Sequence, residues 1–322
     1  MKRFLIQILY FTLTVACLAF LFSGLNLHLI RKKILNPENF RLSDSTTMLI
    51  IGDSYVGLSL NPKYIKGANN ETVLGEHYLY SYTRLKYFLE NNPQLEYIVL
   101  SFNYSTIAAP FDRGLLDGRN QSFFFGKEFM LLGKEELKFL RTNNLVYIRN
   151  FLAWKLGVPS KENLSLIKQT MAKNFKRNAL PFRGEYIDCG NLSYVDNYQL
   201  NVRLKECFEP DKEQGLSPLI LEYLQKIAAL CEQSNVKLVL YTSPLSNLFF
   251  NAIPVFYKEE FQKTCQELPK SVFLLDYARY QLPDSCFEDV NHLNGIGAKI
   301  ISSRLLDDLK KLEQDSVYHM RF

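Results

Sequence analysis

The sequence predicts an α/β domain, a parallel sheet flanked by helices, carried behind an N-terminal transmembrane helix. Three observations predict it. Short apolar runs at 47–51, 97–100, 236–242 and 272–275 read as buried strands. Helical patterns at about 82–90, 217–234, 257–268 and 297–312 alternate with them, and that alternation builds a parallel sheet with helices on both faces. An uncharged apolar segment from about 4 to 25 precedes the whole array.

Met1-Lys2-Arg3 leads into that segment, which is long enough to span a hydrocarbon core of about 30 Å. It outruns the apolar region of an ordinary cleaved signal peptide, and no small-x-small cleavage site follows it. Thr14-Val15-Ala16 before Cys17 loosely resembles a lipobox, but the apolar run continues to Leu25, which favours a span over lipidation. Lys2 and Arg3 favour a cytoplasmic N-terminus, while Arg31-Lys32-Lys33 on the far side competes with them. A short basic N-terminus before a hydrophobic segment normally leaves the bulk of the chain outside. The expectation is a single-pass anchor at 1–33 and an extracytoplasmic domain at 34–322, periplasmic or at the cell surface.

Charge narrows the partners. The chain has 38 Lys and Arg against 33 Asp and Glu, a net +5. Lys2, Arg3, Arg31, Lys32 and Lys33 account for that excess, leaving the remainder at 33 against 33. The basic balance therefore belongs to the anchor's flanks, and with no basic stripe carrying interleaved aromatics a nucleic-acid partner is not expected. No Cys/His spacing matches a zinc site, and no metal or cofactor is expected.

Within the domain, the first strand runs into Gly52-Asp53-Ser54-Tyr55, where glycine permits a sharp exit from the strand and Asp53 can anchor the turn through backbone hydrogen bonds. Apolar Thr72-Val73-Leu74 precedes Gly75, and the strand at 97–100 is followed by Ser101-Phe102-Asn103-Tyr104. Between about 111 and 215 no strand rhythm survives. This stretch reads as an insertion with a helical pattern at 127–156 and aromatics at Phe123-Phe124-Phe125, Phe151 and Trp154, followed by a polar segment bearing Cys189 and Cys207, where one disulfide would staple a loop. It can serve as a lid over the site, as a partner surface or as structural bulk. Cys231 lies on an apolar helix face and reads as a buried thiol, and Cys286 as a packing or disulfide cysteine. After the strand at 236–242, Thr242-Ser243-Pro244-Leu245 falls at the sheet's carboxyl edge, where Ser243 is a candidate substrate contact. In the helix at 297–312, Ile300, Ile301, Leu305, Leu309 and Leu312 recur at helical spacing as its buried face.

Asp289-Val290-Asn291-His292 stands just before that helix. Of the four histidines, His28 adjoins the apolar segment, while His77 and His319 follow Leu74 and Ser316 at a distance of three. His292 alone has an aspartate at that spacing. Ser54, His292 and Asp289 are the residue types of nucleophilic acyl transfer. A serine hydroxyl attacks only when a positioned base takes its proton, and an imidazole does so near neutral pH. A carboxylate then holds the ring in the right tautomer and stabilises the imidazolium. Without this role, Asp289 would be a helix cap and His292 a surface residue.

The chain order Ser…Asp…His, with the acid three residues before the histidine, differs from that of chymotrypsin or subtilisin. It resembles the GDSL/SGNH hydrolase superfamily, whose serine block lies on the first strand–helix turn and whose D-x-x-H block lies near the C-terminus. That resemblance implies a flavodoxin-like three-layer fold and an oxyanion hole made by the Ser54 and Gly75 backbone N–H groups and the Asn103 side chain. The third block departs from the pattern Gly-x-Asn-Asp, with Ser101 in place of glycine and Tyr104 in place of the second acid. The stretch 217–245 and the ending Asp-x-x-His-Leu-Asn-x-x-Gly-Ala at 289–298 are similar to membrane-anchored SGNH-like proteins of bacterial envelopes. Several of those act in O-acylation of surface glycans or teichoic acids, some beside a multi-spanning acyltransferase. The resemblance implies a membrane-tethered serine esterase or O-acyltransferase, with an acylated glycan or other ester as substrate and a multi-spanning membrane acyltransferase as a partner. The altered third block supports the alternative, a non-catalytic binding or assembly subunit on the same fold.

Overall fold

The structure, a computed structural model, describes residues 2–116, 130–143, 182–209, 214–314 and 319–321. In chain order its first elements are α1 (Lys2–Ile34), β1 (Met48–Ile51), α2 (Ser54–Ser59), β2 (Ala68–Asn70), α3 (Tyr78–Asn91), β3 (Tyr97–Ser101), α4 (Ala109–Leu116) and α5 (Lys134–Asn143). They are followed by α6 (Asn197–Phe208), α7 (Pro218–Gln233), β4 (Lys237–Thr242), α8 (Asn247–Ala252), α9 (Val255–Gln266), β5 (Val272–Asp276), α10 (Gly295–Gln314) and β6 (His319–Arg321).

The chain divides into two compact units, Met1–Asn39 with Leu116–Phe182, and Phe40–Leu115 with Arg183–Phe322. In the first, α1 carries Phe4, Leu9, Tyr10, Phe11 and Leu18 exposed. Among the described residues no helix is long and apolar enough to cross a membrane. The side chains of α1 are described without a break from Lys2 to Leu18, and several from Ala19 onward lie outside the described residues. α5 is the described part of the helical pattern at 127–156; Phe123, Phe124, Phe125, Phe151 and Trp154 lie outside the described residues.

In the second unit every strand pairing is parallel, in the order β2-β1-β3-β4-β5-β6. The four apolar runs become β1, β3, β4 and β5, and their residues are buried because helices cover both faces. Alternate residues Met48, Ile50, Val99, Val239, Tyr241 and Leu275 share a core with Val56 of α2 and with Ile301, Leu305, Leu309 and Leu312 of α10. α3 and α7 pack against each other, and α7 also against β4. The order 2-1-3-4-5 is doubly wound: β1 connects outward to β2, and the chain then returns to β3 on its other side. The loops leaving β1 and β3 diverge there, at the carboxyl edge where doubly wound sheets place their ligand sites.

Three elements differ from the sequence reading. β2 is Ala68-Asn69-Asn70, short and polar, ahead of the apolar Thr72-Val73-Leu74; it becomes a strand by pairing with Met48–Ile50 at the sheet edge. β6 likewise is a three-residue edge strand paired with β5. α10 begins at Gly295, and Ile300 is 38% exposed on it, because the buried stripe follows Ile301, Leu305, Leu309 and Leu312.

The segment entering β1 is fixed by one side chain. Asn92, 1% exposed at the end of α3, accepts from Leu42 N–H at 2.6 Å and donates to Phe40 O at 2.8 Å and Phe88 O at 2.7 Å. Asn92→Ala strands the buried Leu42 N–H and Phe40 carbonyl, and each such group costs about 1–3 kcal/mol. Denaturant unfolding should therefore show a loss of about 2–4 kcal/mol; a loss below about 1 kcal/mol would mean that the segment holds without this amide.

Candidate active site

The nucleophile turn is built from β1 outward. Gly52 sits at φ +122°, a left-handed conformation that L side chains resist, and a Cβ there would lie 3.0 Å from Ser101 Cβ. The turn therefore lies directly against β3. Asp53 caps α2, its Oδ1 accepting from Tyr55 N–H at 3.0 Å and from Ser101 Oγ–H at 2.6 Å. Burial pushes its carboxyl up to about 6, opposed by the Ser101 and Tyr55 hydrogen bonds and by the charge of His292. Ser54 is the first residue of α2 and is half-buried.

The base arrives on a tight loop. Glu288 N–H donates to His292 O, and Asn294 closes the loop by capping α10, its Oδ1 accepting from Ile296 and Gly297 N–H. A Cβ at Gly297 would come within 2.3 Å of Cys286 O, so glycine is what lets the helix begin so close to the loop. Asp289 Oδ1 accepts from the N–H groups of Asn291 and His292, each at 2.9 Å. His292 Nδ1 lies 3.1 Å from Oδ1 and 3.0 Å from Oδ2 of Asp289, and its Nε2 lies 2.9 Å from Ser54 Oγ. With Nδ1–H donating to the carboxylate, Nε2 is free to accept the serine proton. Burial alone would raise the Asp289 carboxyl, but the hydrogen bond and charge of His292, and then Arg203, hold it well below the usual carboxylate range. Ser54, His292 and Asp289 thus meet across 238 residues of sequence.

The expected oxyanion donors are placed less directly. Asn103, 1% exposed, donates from Nδ2 to Ser101 Oγ at 3.1 Å and accepts at Oδ1 from Ser243 N–H at 3.1 Å. It is joined to the nucleophile turn through Ser101 and Asp53, and one of its two Nδ2 hydrogens remains for a ligand. Gly75, at φ +69°, is exposed on a loop joined to the turn by the Val73 N–H···Gly52 O bond of 3.0 Å. No hydrogen bond connects it to Ser54 among the described residues. Its neighbour Glu76 is buried and holds Arg84 and Ser81, and Arg84 also donates to Glu71 O, so the loop has a fixed base.

Ser243 is fully buried, its backbone N–H donating to Asn103 Oδ1 at 3.1 Å. One expectation is corrected. All six cysteines are free thiols. Cys207 does not pair with Cys189: it lies on α6, 3.7 Å from Tyr55 OH and 3.9 Å from Asn291 Nδ2, and burial pushes it up to about 11. Cys189 is pushed up to about 11 by burial and by neighbouring Glu288.

Three contributors have no signature in the sequence reading. Asn291 Nδ2 donates to Tyr55 OH at 2.7 Å, so the residue before the histidine is bonded to the residue after the serine, and the Tyr55 ring lies 5.0 Å from the His292 ring. Arg203 on α6 donates from Nε at 3.0 Å and Nη2 at 2.6 Å to Asp289 Oδ2. Position beside the catalytic motifs could have flagged Tyr55 and Asn291; nothing near Arg203 could have. Among the described residues, Glu288, Asp289 and His292 are grouped closely enough to share a metal ion, but the Arg203 guanidinium already places a cation on the Asp289 oxygen. No protein-family model matches the chain, and no curated protein matches it.

Asp53 gives the site a pH signature. The cost of burying its ionised form grows as pH rises from the ordinary carboxyl value of 3.8 and is complete above about 6; below 3.8 it is absent, because folded and unfolded chains are then both protonated. Asp53→Asn removes this titration. Whatever its offset, the stability difference between mutant and wild type should move in favour of the mutant by up to roughly 3 kcal/mol between pH 4 and pH 7. Thermal or urea unfolding across that range checks it, and a flat difference would refute it.

Proposed function

We propose that this chain is a membrane-tethered serine esterase or O-acyltransferase of SGNH-hydrolase type, acting on an acylated envelope glycan through an acyl-Ser54 intermediate. The observation that carries the reading is the unbroken chain Ser54 Oγ···His292 Nε2 at 2.9 Å and His292 Nδ1···Asp289 Oδ2 at 3.0 Å. The nucleophile after β1, the base before α10 and the doubly wound strand order also fit that superfamily. Exposed apolar side chains on α1, behind Lys2 and Arg3, favour the tether and an extracytoplasmic position for the site.

Ser54 Oγ attacks the ester carbonyl carbon as its proton passes to His292 Nε2. The tetrahedral oxyanion is held by the Ser54 and Gly75 N–H groups and the remaining Asn103 amide hydrogen. Collapse expels the alcohol, which takes the proton from His292, and leaves the acyl group on Ser54. Water, or a sugar hydroxyl, then attacks the acyl-enzyme with His292 again taking the proton, and Ser54 is regenerated. Asp289 stays ionised throughout and stabilises the imidazolium. The glycan and a multi-spanning membrane acyltransferase partner are supported by the resemblance of 217–245 and 289–298 to envelope O-acylation proteins.

Purified protein should be labelled by a fluorophosphonate probe, and Ser54→Ala should abolish labelling and ester turnover with its circular dichroism unchanged. Asp289→Asn should keep the fold and lose about 10⁴-fold in rate through the wrong imidazole tautomer. An unlabelled, folded wild type would leave the chain as a non-catalytic binding or assembly subunit.

Asn103→Ala tests the altered third block. If the amide donates to the oxyanion, kcat should fall by about 10²–10³. KM should change little, because that bond strengthens only as negative charge develops. Wild-type kcat in a folded Asn103→Ala protein would confine the oxyanion site to the backbone donors.

A further inference from the structure

The Asp289 carboxylate is gripped at both oxygens. Its Oδ1 is fixed by two backbone N–H groups of its own loop, at 2.9 Å each. Its Oδ2 is fixed from a different element, by Arg203 Nε at 3.0 Å and Nη2 at 2.6 Å. His292 Nδ1 sits between the two oxygens at nearly equal distance, an arrangement that survives only if the carboxylate cannot turn about its last bond. Arg203 is itself held from behind, its Nη1 donating to Glu206 Oε2 at 2.8 Å one turn along α6. The Asp289 side chain is 6% exposed and that of Arg203 30%, so the contact is far from a solvated surface pair.

We propose that Arg203 is a positioning residue of the Ser54 site, acting through Asp289. It locks the carboxylate in the plane that meets His292 and takes up part of its charge, so that α6 sets how firmly the acid holds the imidazolium. The inference rests on the reading of Ser54 as the nucleophile. His292 meets Ser54 at Nε2, Asp289 at Nδ1 and the Tyr55 ring at 5.0 Å, with Asp53 and Glu288 close by, and Arg203 reaches it through Asp289. Arg203 is the cation of that set. Without it the carboxylate is free to turn, and His292 Nδ1 loses a partner held in one plane.

The test uses the full chain and two variants. Arg203→Met keeps the aliphatic stem and removes charge and donors; Arg203→Lys keeps the charge without the two-donor fork. Arg203→Met should slow fluorophosphonate labelling at its pH plateau by about 10- to 100-fold, the effect of a misplaced reacting group. Arg203→Lys, with one ammonium in place of the two-donor fork, should recover only part of that rate. In an Asp289→Asn background, Arg203→Met should cause no further loss, since the residue acts through that carboxylate. Unchanged labelling across pH, or losses that multiply in the double variant, would overturn the proposal. If the wild type is not labelled at all, the hydrolase reading falls, and the His292 Nδ1–H proton resonance decides the positioning role separately. A resonance displaced or lost in Arg203→Met supports it, and one identical to wild type overturns it.

Discussion

One buried carboxylate joins the sheet to the site. Asp53 sits at the end of β1, ties down the first turn of α2 and accepts the hydroxyl of Ser101 at the end of β3. Ser101 Oγ in turn accepts from Asn103, and Asn103 accepts from Ser243 beyond β4. A single run of side-chain and backbone hydrogen bonds thus crosses the carboxyl ends of three neighbouring strands. The cost is an acid in a place that disfavours its ionised form, consistent with the upward displacement of its pKa. What it secures is a close seat for the Ser54 turn against β3, with no room for a side chain at Gly52, where a Cβ would lie 3.0 Å from Ser101 Cβ.

The other half of the site is assembled on different principles. The loop around His292 has no strand to lean on and closes on itself, through Asp289 Oδ1, the Glu288–His292 backbone bond and the Asn294 cap. It is then fastened to the nucleophile side by the Asn291–Tyr55 bond and to α6 by Arg203. Each fastening uses a residue adjacent to Ser54 or His292 or a partner of Asp289, so the geometry of the three is set by their neighbours.

How much of this was legible in the sequence follows from the range of the forces involved. Parallel strands buried on both faces leave continuous apolar runs, so β1, β3, β4 and β5 could be read directly, whereas β2 and β6 exist only because a neighbour's edge pairs with them. Ser54, Asp289 and His292 were legible because each sits in a local pattern of residue types. Arg203 was not: it lies in a polar stretch whose helix is recognisable only by what it touches. The disulfide expected between Cys189 and Cys207 failed for the same reason, since composition suggested a loop needing a staple where the chain forms a helix with Cys207 beside Tyr55.

The separation of Ser54 and His292 by 238 residues has a consequence for biogenesis. A chain emerging from the ribosome or a translocation channel completes β1, α2 and β3 long before the base loop and α10 are available. Through that interval the serine has no proton acceptor, and the sheet face later covered by Ile301, Leu305 and Leu309 stays open. The Ser54–His292 hydrogen bond can form only once the loop before α10 docks, a late, long-range step of the kind that governs folding rates. On the hydrolase reading proposed above, Ser54 stays without its base until that step is complete.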